Sequence, residues 1–291
     1  MNTSSNPVNL RDAIKNLDTL PALPFIAQKI LALNTETDEG QKQLLALIDQ
    51  DPQIMAKVIG LANSPMMGTS RKISSISEAS MILGIKRIKT VTTGIAMMSV
   101  QTNSSTGNLN LHDLWMHNLG IAFAMLAIGK AMPKKLKPED DLIFLAGMLH
   151  DIGYIALAHL DPVRSNELHT YQAAKPTRPA LEIEQSLLDI CHDELGAELA
   201  RHWNLPSEVI SVIRYHHTPD AISAPKNLPL IRMVYIAEKM LPSFGMSEYV
   251  EPGIQDSDWQ ALGIEPANAE DILQHAAEHA DQAALFAANL A

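Results

Sequence analysis

Cysteine is almost missing from this sequence: of 291 residues only Cys191 is one, so no disulfide can form within the chain and a reducing compartment suits it. A lone cysteine of this kind is most simply a small buried apolar group. Aromatic residues make up 4%, which leaves a core to be built from Ala, Leu, Ile and Met and offers few platforms on which the bases of single-stranded nucleic acid could stack. Basic residues are outnumbered 22 to 33 by acidic ones, and the formal charge of −11 repels polyphosphate backbones at long range. Nucleic acid is therefore not an expected partner. The N-terminal stretch MNTSSNPVNL has neither the charged nor the apolar region of a secretory leader, and no apolar run approaches the roughly 18 residues of a membrane span. A cytoplasmic protein with no membrane partner is the expectation.

No segment alternates apolar and polar residues in the manner of a half-buried strand, and no internal repeat is apparent. Apolar residues recur instead at helical spacing, as in Leu44, Leu45, Leu47 and Ile48, then Ile54, Met55, Val58, Ile59 and Ala62. With 46% hydrophobic residues to bury, the pattern predicts an all-α fold with a substantial core. Asp51-Pro52 can open a helix, with Asp51 capping and Pro52 at the first position, and Asn63-Ser64-Pro65 can close it. Gly84 separates the stripe Ile76, Ala79, Leu83 from the stripe Ile85, Ile88, Val91, Ile95 and reads as a bend. The polar, small-residue stretch Thr102 to Asn110 reads as a linker. It divides a helical subdomain at 7–102 from a second at 111–245, with helical patterns at Leu114 to Ala131, Leu142 to Ala158, Ala180 to Trp203, Pro206 to His217 and Leu228 to Leu241. A tail at 246–291 follows, whose last helix, capped by Asn268 with Glu270 and Asp271 in its first turn, is expected to pack back on the body.

Histidines gather in the second array, accompanied by carboxylates. Asp113 precedes His117 by one helical turn on the same face, and His150-Asp151 ends the apolar run Leu145 to Leu149. His192 follows Leu187 to Cys191, His216-His217 ends the run from Glu208 to Ile213, and Glu238 is a charge set among apolar residues that needs a partner if buried. Taken singly, each histidine is more simply a satisfied core or surface residue. Mixed imidazole and carboxylate donors suit Fe, Mn, Zn or Mg, and a bridging carboxylate can support two ions.

The dipeptide His150-Asp151, with His117 before it and His192, His216 and His217 after it, resembles the HD superfamily of metal-dependent phosphohydrolases. A more specific resemblance, over roughly residues 15 to 245, is to the HDOD group, the HD-related output domains of bacterial signalling proteins. Leu20-Pro21-Ala22-Leu23-Pro24, Asp51-Pro52, Leu61 to Pro65, Ile73 to Gly84 and Trp115-Met116-His117-Asn118 carry it, and His150-Asp151-Ile152-Gly153, His192 to Pro206 and His216-His217 continue it. The resemblance implies an all-helical fold whose second subdomain is an HD-like array, and a regulatory role through a signalling protein partner. Similarity to the catalytic HD-GYP relatives implies metal ligation by His117, His150, Asp151, His192, His216 and His217, with Asp113 and Glu238 standing where those relatives place acidic ligands. One or two divalent or transition-metal ions, Fe, Mn or Zn, would be the cofactor. Two departures bear on activity. Tyr154 stands where the catalytic relatives carry a lysine, and Thr218-Pro219-Asp220 follows His216-His217 in place of their Gly-Tyr-Pro signature.

Three functions compete on these grounds. The first is a non-catalytic signalling module that keeps its metal and binds a partner, and no catalytic residue is then assigned. The second is a phosphohydrolase acting on a nucleotide or cyclic dinucleotide, with His150 and Asp151 at its centre. The third, a nucleic-acid reader built on Ile73 to Val91 with Arg71, Lys72, Lys86, Arg87 and Lys89, is disfavoured by the acidic balance and by the apolar spacing of that segment. Limited proteolysis followed by mass spectrometry checks the division: the first cut is expected between Thr102 and Asn110, and a first cut inside Leu44 to Ala62 would remove the boundary.

Overall fold

Caps, prolines and left-handed residues cut the apolar repeat of this chain into a series of mostly short helices. The computed structural model describes residues 9–16, 19–63, 72–99, 109–225, 228–241, 246 and 249–288. In chain order the helices are α1 (Leu10–Ala13), α2 (Phe25–Ala32), α3 (Asp38–Asp49), α4 (Pro52–Ala62), α5 (Ile76–Leu83), α6 (Ile85–Met98), α7 (Leu111–Ala131) and α8 (Asp140–Leu149). After them come α9 (Ile152–Leu160), α10 (Pro162–Ala174), α11 (Ala180–Leu188), α12 (His192–His202), α13 (Ser207–Tyr215), α14 (Pro229–Met240), α15 (Asp256–Ala261) and α16 (Ala269–Ala288). No strand occurs among the described residues, so the fold is all-α as the spacing predicts.

Several boundaries follow from local chemistry. The Asp51 carboxylate accepts from the backbone N–H groups of Gln53 and Ile54, and Pro52 occupies the first position of α4. Gly84, at φ 84°, turns the chain between α5 and α6. Ser64, Pro65 and most of the expected linker, residues 100–108, lie outside the described residues. Asn268 ends a short 3-10 turn and directly precedes α16, and Ile272 and Ala276 of α16 are buried against α7 and α14.

Two long helical patterns in the sequence are broken in the structure. Leu142 to Ala158 is interrupted at His150, which ends α8, and Asp151, which precedes α9. Ala180 to Trp203 is interrupted at Asp189, a left-handed residue at φ 58°. Helix α10 has no apolar stripe to announce it, since it buries only Ser165, Leu168, His169 and Gln172. Its start nevertheless repeats the Asp51-Pro52 device, with Asp161 accepting from Arg164 N and Pro162 in the first turn.

The interior is layered around α7, which is buried on nearly every side. It is as long and apolar as a membrane span, contrary to the sequence reading, but 83% of that window is covered by protein. One face joins a core that runs from Ile30, Leu44, Ile48, Val58 and Ile88 through Phe123, Met148, Ile155 and Leu195 to Trp203, so α2 to α6 and α7 to α13 share one apolar interior. The opposite face joins a second core with Ile143, Met233, Ile236, Trp259 and Leu262. Trp203 Nε1 donates to the carbonyl of Pro21 at 2.9 Å, fastening the N-terminal segment to the end of α12.

Two glycines set how closely the site-bearing helices approach. A Cβ at Gly147 of α8 would lie 2.5 Å from the Cα of Ala122 in α7, and one at Gly153 of α9 would overlap the carbonyl oxygen of His192. Both obstacles are backbone, which cannot rotate away. Gly153→Ala should therefore cost about 1–3 kcal/mol of stability, read as a lowered Tm, and an unchanged Tm would show that the α9–α12 approach is not constrained.

Candidate metal centre

Five elements deliver side chains to one buried point. His117 comes from the second turn of α7, His150 and Asp151 from the break between α8 and α9, and His192 is the first residue of α12. His216 and His217 follow α13, and Glu238 comes from the last turn of α14. Asp151 is fully buried, and its two oxygens face different histidines. Oδ2 lies 3.3 Å from His150 Nε2 and 3.5 Å from His117 Nε2, whereas Oδ1 lies 3.4 Å from His192 Nε2 and 3.5 Å from His216 Nε2. Glu238 Oε1 approaches His150 Nε2 at 2.8 Å and His117 Nε2 at 3.4 Å, and its Oε2 lies 3.8 Å from His217 Nδ1. The donors fall into two groups, His117, His150, Asp151 and Glu238 in one and His192, His216 and His217 in the other, each within 4.8 Å.

Hydrogen bonding on the far side of the rings tests whether a cation fits. His150 Nδ1 meets the carbonyl of Gly147 at 2.7 Å, and His216 Nδ1 meets that of Ile213 at 2.9 Å. His192 Nδ1 meets both oxygens of Glu184 at 2.9 Å. These partners only accept, so each neutral ring carries its proton on Nδ1 and turns a lone pair inward from Nε2. Yet His192 Nε2 and His216 Nε2 lie 3.2 Å apart, and neither oxygen of Asp151 or of Glu238 has a partner in hydrogen-bond geometry among the described residues. Lone pairs converging in this way require a positive charge between them, and the residues fit a metal ion.

Without an ion the cluster shares protons. Burial alone would raise the Asp151 carboxyl, but His150, His192 and His216 outweigh it and hold the group well below the usual carboxylate range. Glu238 is likewise held well below its ordinary value against burial, by His117 and His150. Burial opposes the charged form of His150, yet Asp151 and Glu238 together raise it well above an ordinary imidazole. Burial, with His217 beside it, lowers His216.

Asp113 does not join the centre. It belongs to neither donor group and is only half-buried, because one helical turn displaces it by about 6 Å along α7 toward the exposed helix start. Tyr154 is also placed differently from the role its position suggests. Its ring is fully buried and stacked on His192, with centroids 4.5 Å apart, and its hydroxyl donates to Glu184 at 2.9 Å. It stands behind an imidazole, so a lysine there would meet Glu184 before anything bound in front of the histidines. Glu184 itself escapes the sequence reading, although a signal exists: it interrupts the buried stripe Ala180, Ile183, Leu188 of α11 with a charge. Asn118 ties α7 to the end of α8, donating to the carbonyl of Met148 at 3.1 Å. Cys191 is buried as expected, its thiol pushed up to about 12 by burial and by Glu184 and Asp193.

Removing one central donor should empty the centre. Protein prepared without chelator is expected to contain Fe, Mn or Zn at about one equivalent or above, and His150→Ala or Asp151→Ala to lose it. Because the ion displaces protons from the imidazoles, and His150 holds its proton well above about 6.5, the gain in Tm on adding metal should grow as pH rises from about 5 to 8. A gain that shrinks over that range would contradict the assignment of these residues as ligands.

The model of the HDOD domain matches residues 20–219. An uncharacterized protein of Treponema pallidum (strain Nichols) is 28% identical over 222 residues, which cover 76% of this chain and 42% of that protein, so this chain spans less than half of that relative's length. Among solved structures, an HDOD domain protein of unknown function from Geobacter sulfurreducens superposes with a TM-score of 0.75 at 24% identity, covering 97% of this chain and 95% of its own. A provisionally named signal transduction protein from Marinobacter aquaeolei VT8 gives 0.74 at 23%, covering 98% of this chain and 62% of its own. A provisionally named metal-dependent phosphohydrolase from Shewanella amazonensis SB2B gives 0.64 at 20%, covering 95% and 97%. The solved structures share the fold, and the family match extends from the Leu20-Pro21 segment that fastens to Trp203 through the last histidine of the centre: the chain belongs to the HDOD domain family.

Proposed function

We propose that this chain is a regulatory signalling module whose metal centre organises its core and which acts by binding a signalling protein partner rather than by turnover. The observation that carries this reading is the burial of the centre together with the engagement of Arg201, Arg214 and Lys239 by partners outside the donor set. Of the seven donor residues His217 is the most open, with 12% of its side chain exposed, and Asp151, His150, His192 and His216 have none. Transfer of a phosphoryl group builds charge on oxygens that positive groups normally stabilise, and losing one such contact costs on the order of a hundredfold or more in rate. Arg201 pairs with Glu198, Arg214 with Asp193, and Lys239 donates to the carbonyl of Gly253. Tyr154 faces Glu184.

Within this proposal one or two ions would be held at the centre, by His117, His150 and Glu238 on one side of Asp151 and by His192, His216 and His217 on the other. Bound metal would supply Lewis acidity and a water of lowered pKa. This division is also the specific observation that favours a second reading, a phosphohydrolase acting on a nucleotide or cyclic dinucleotide, since paired ions are suited to phosphate esters. A nucleic-acid role gains nothing from the fold: Lys86 pairs with Glu36, Arg87 with Asp140, and Lys89 donates to the carbonyl of Leu33.

Turnover separates the two readings. Metal-loaded protein supplied with Mn, Fe or Mg is expected to hydrolyse cyclic dinucleotides and mononucleotide esters no faster than His150→Ala. Hydrolysis at enzyme-like rates that His150→Ala abolishes would replace the signalling module with the phosphohydrolase.

A further inference from the structure

A carboxylate that belongs to neither donor group lies directly behind one of them. Glu184 of α11 is fully buried. Three donors converge on it: the Tyr154 hydroxyl at 2.9 Å from Oε1, the backbone N–H of His192 at 2.8 Å from Oε2, and His192 Nδ1 at 2.9 Å from both oxygens. The His192 N–H opens α12, so it is one of the donors a helix leaves unsatisfied, and the positive end of the helix dipole favours a negative group there. That is the physical reason a carboxylate can be buried at this point. Tyr154 completes the arrangement, holding Glu184 by its hydroxyl and covering the His192 ring by stacking at 18°.

We propose that Glu184 is the positioning residue of the metal centre, fixing His192 in the Nδ1–H tautomer so that its Nε2 lone pair faces Oδ1 of Asp151, and that Tyr154 acts through Glu184. This rests on the metal-centre reading above. The other imidazoles are held differently: His150 and His216 lean on the carbonyls of Gly147 and Ile213, and Nδ1 of His117 has no hydrogen-bond partner among the described residues. A carboxylate behind a ligating imidazole raises its basicity and fixes its orientation more than a peptide carbonyl does. The half of the centre made by His192, His216 and His217 therefore depends on one replaceable side chain outside it, and the half made by His117, His150 and Glu238 does not.

Glutamine at 184 exposes this dependence, because an amide can accept on one atom only. With its oxygen toward the His192 N–H, its NH2 lies as close to Nδ1 as that oxygen does, and facing this donor favours the imidazole tautomer that carries its proton on Nε2. The lone pair then points away from the metal.

The test is a titration of the metal-free full chain with Co2+, read by metal content after desalting and by the visible ligand-field spectrum. Wild type should bind at both halves. Glu184→Gln should lose about tenfold to a hundredfold in affinity for one equivalent, with altered ligand-field bands for that ion, while the other binds as in wild type. Tyr154→Phe, which keeps the carboxylate, should show a smaller loss in the same equivalent. It carries the test alone if Glu184→Gln does not fold, a loss confined to that equivalent supporting the proposal and wild-type affinity and spectrum overturning it. Folded Glu184→Gln that binds both equivalents with wild-type affinity and spectrum, or loses both equally, overturns the positioning role. Wild-type protein that binds no Co2+ overturns the metal-centre reading itself.

Discussion

A carboxylate with no exposure to water, Asp151, sits among the imidazoles of His117, His150, His192 and His216, and the arrangement of the surrounding helices follows from satisfying it. A charge buried this deeply is strongly unfavourable unless positive charge and hydrogen bonds surround it. Four elements must therefore come within a few ångströms of one point. The break between α8 and α9 lets adjacent residues, His150 and Asp151, both turn inward. Gly147 and Gly153 remove the side chains that would otherwise hold α7 and α12 away.

The proton positions on the rings follow from the same architecture. His150 and His216 each close a helix, α8 and α13, and each returns its Nδ1 to a carbonyl of the turn just completed. Such carbonyls are unsatisfied at helix ends, so one bond serves both the helix and the ring. His192 begins a helix instead of ending one. Its ring cannot return to a turn already completed, and a carboxylate from α11 takes that place, accepting from the ring and from the first N–H of α12 together.

Burial of the centre also shapes what the molecule can do with it. The core behind the N-terminal helices continues without interruption into that of α7 to α13, and the centre lies within this shared interior. Under the proposed function, a change in metal occupancy would act on the interior that both halves share. Near α6, Lys86 pairs with Glu36, Arg87 pairs with Asp140, and Lys89 donates to the carbonyl of Leu33.

Much of this was legible in the sequence because it is local. Helical spacing predicted the all-α fold, Asp51-Pro52 and Gly84 marked boundaries through capping and φ preference, and the six histidine and aspartate candidates from His117 to His217, with Glu238, are the residues brought together. What spacing could not supply was direction in three dimensions. Asp113 and His117 share a helical face, yet only the packing of α8 and α14 against α7 decides which turn of that face meets the other donors. The resemblance to the HD-GYP proteins implies a lysine at the position of Tyr154, but the packing of α9 on α12 turns this side chain behind His192. Glu184 carried a faint sequence signal as a charge in a buried stripe. Its role depended on α11 ending against the first turn of α12, a contact between elements that no periodicity within either one records.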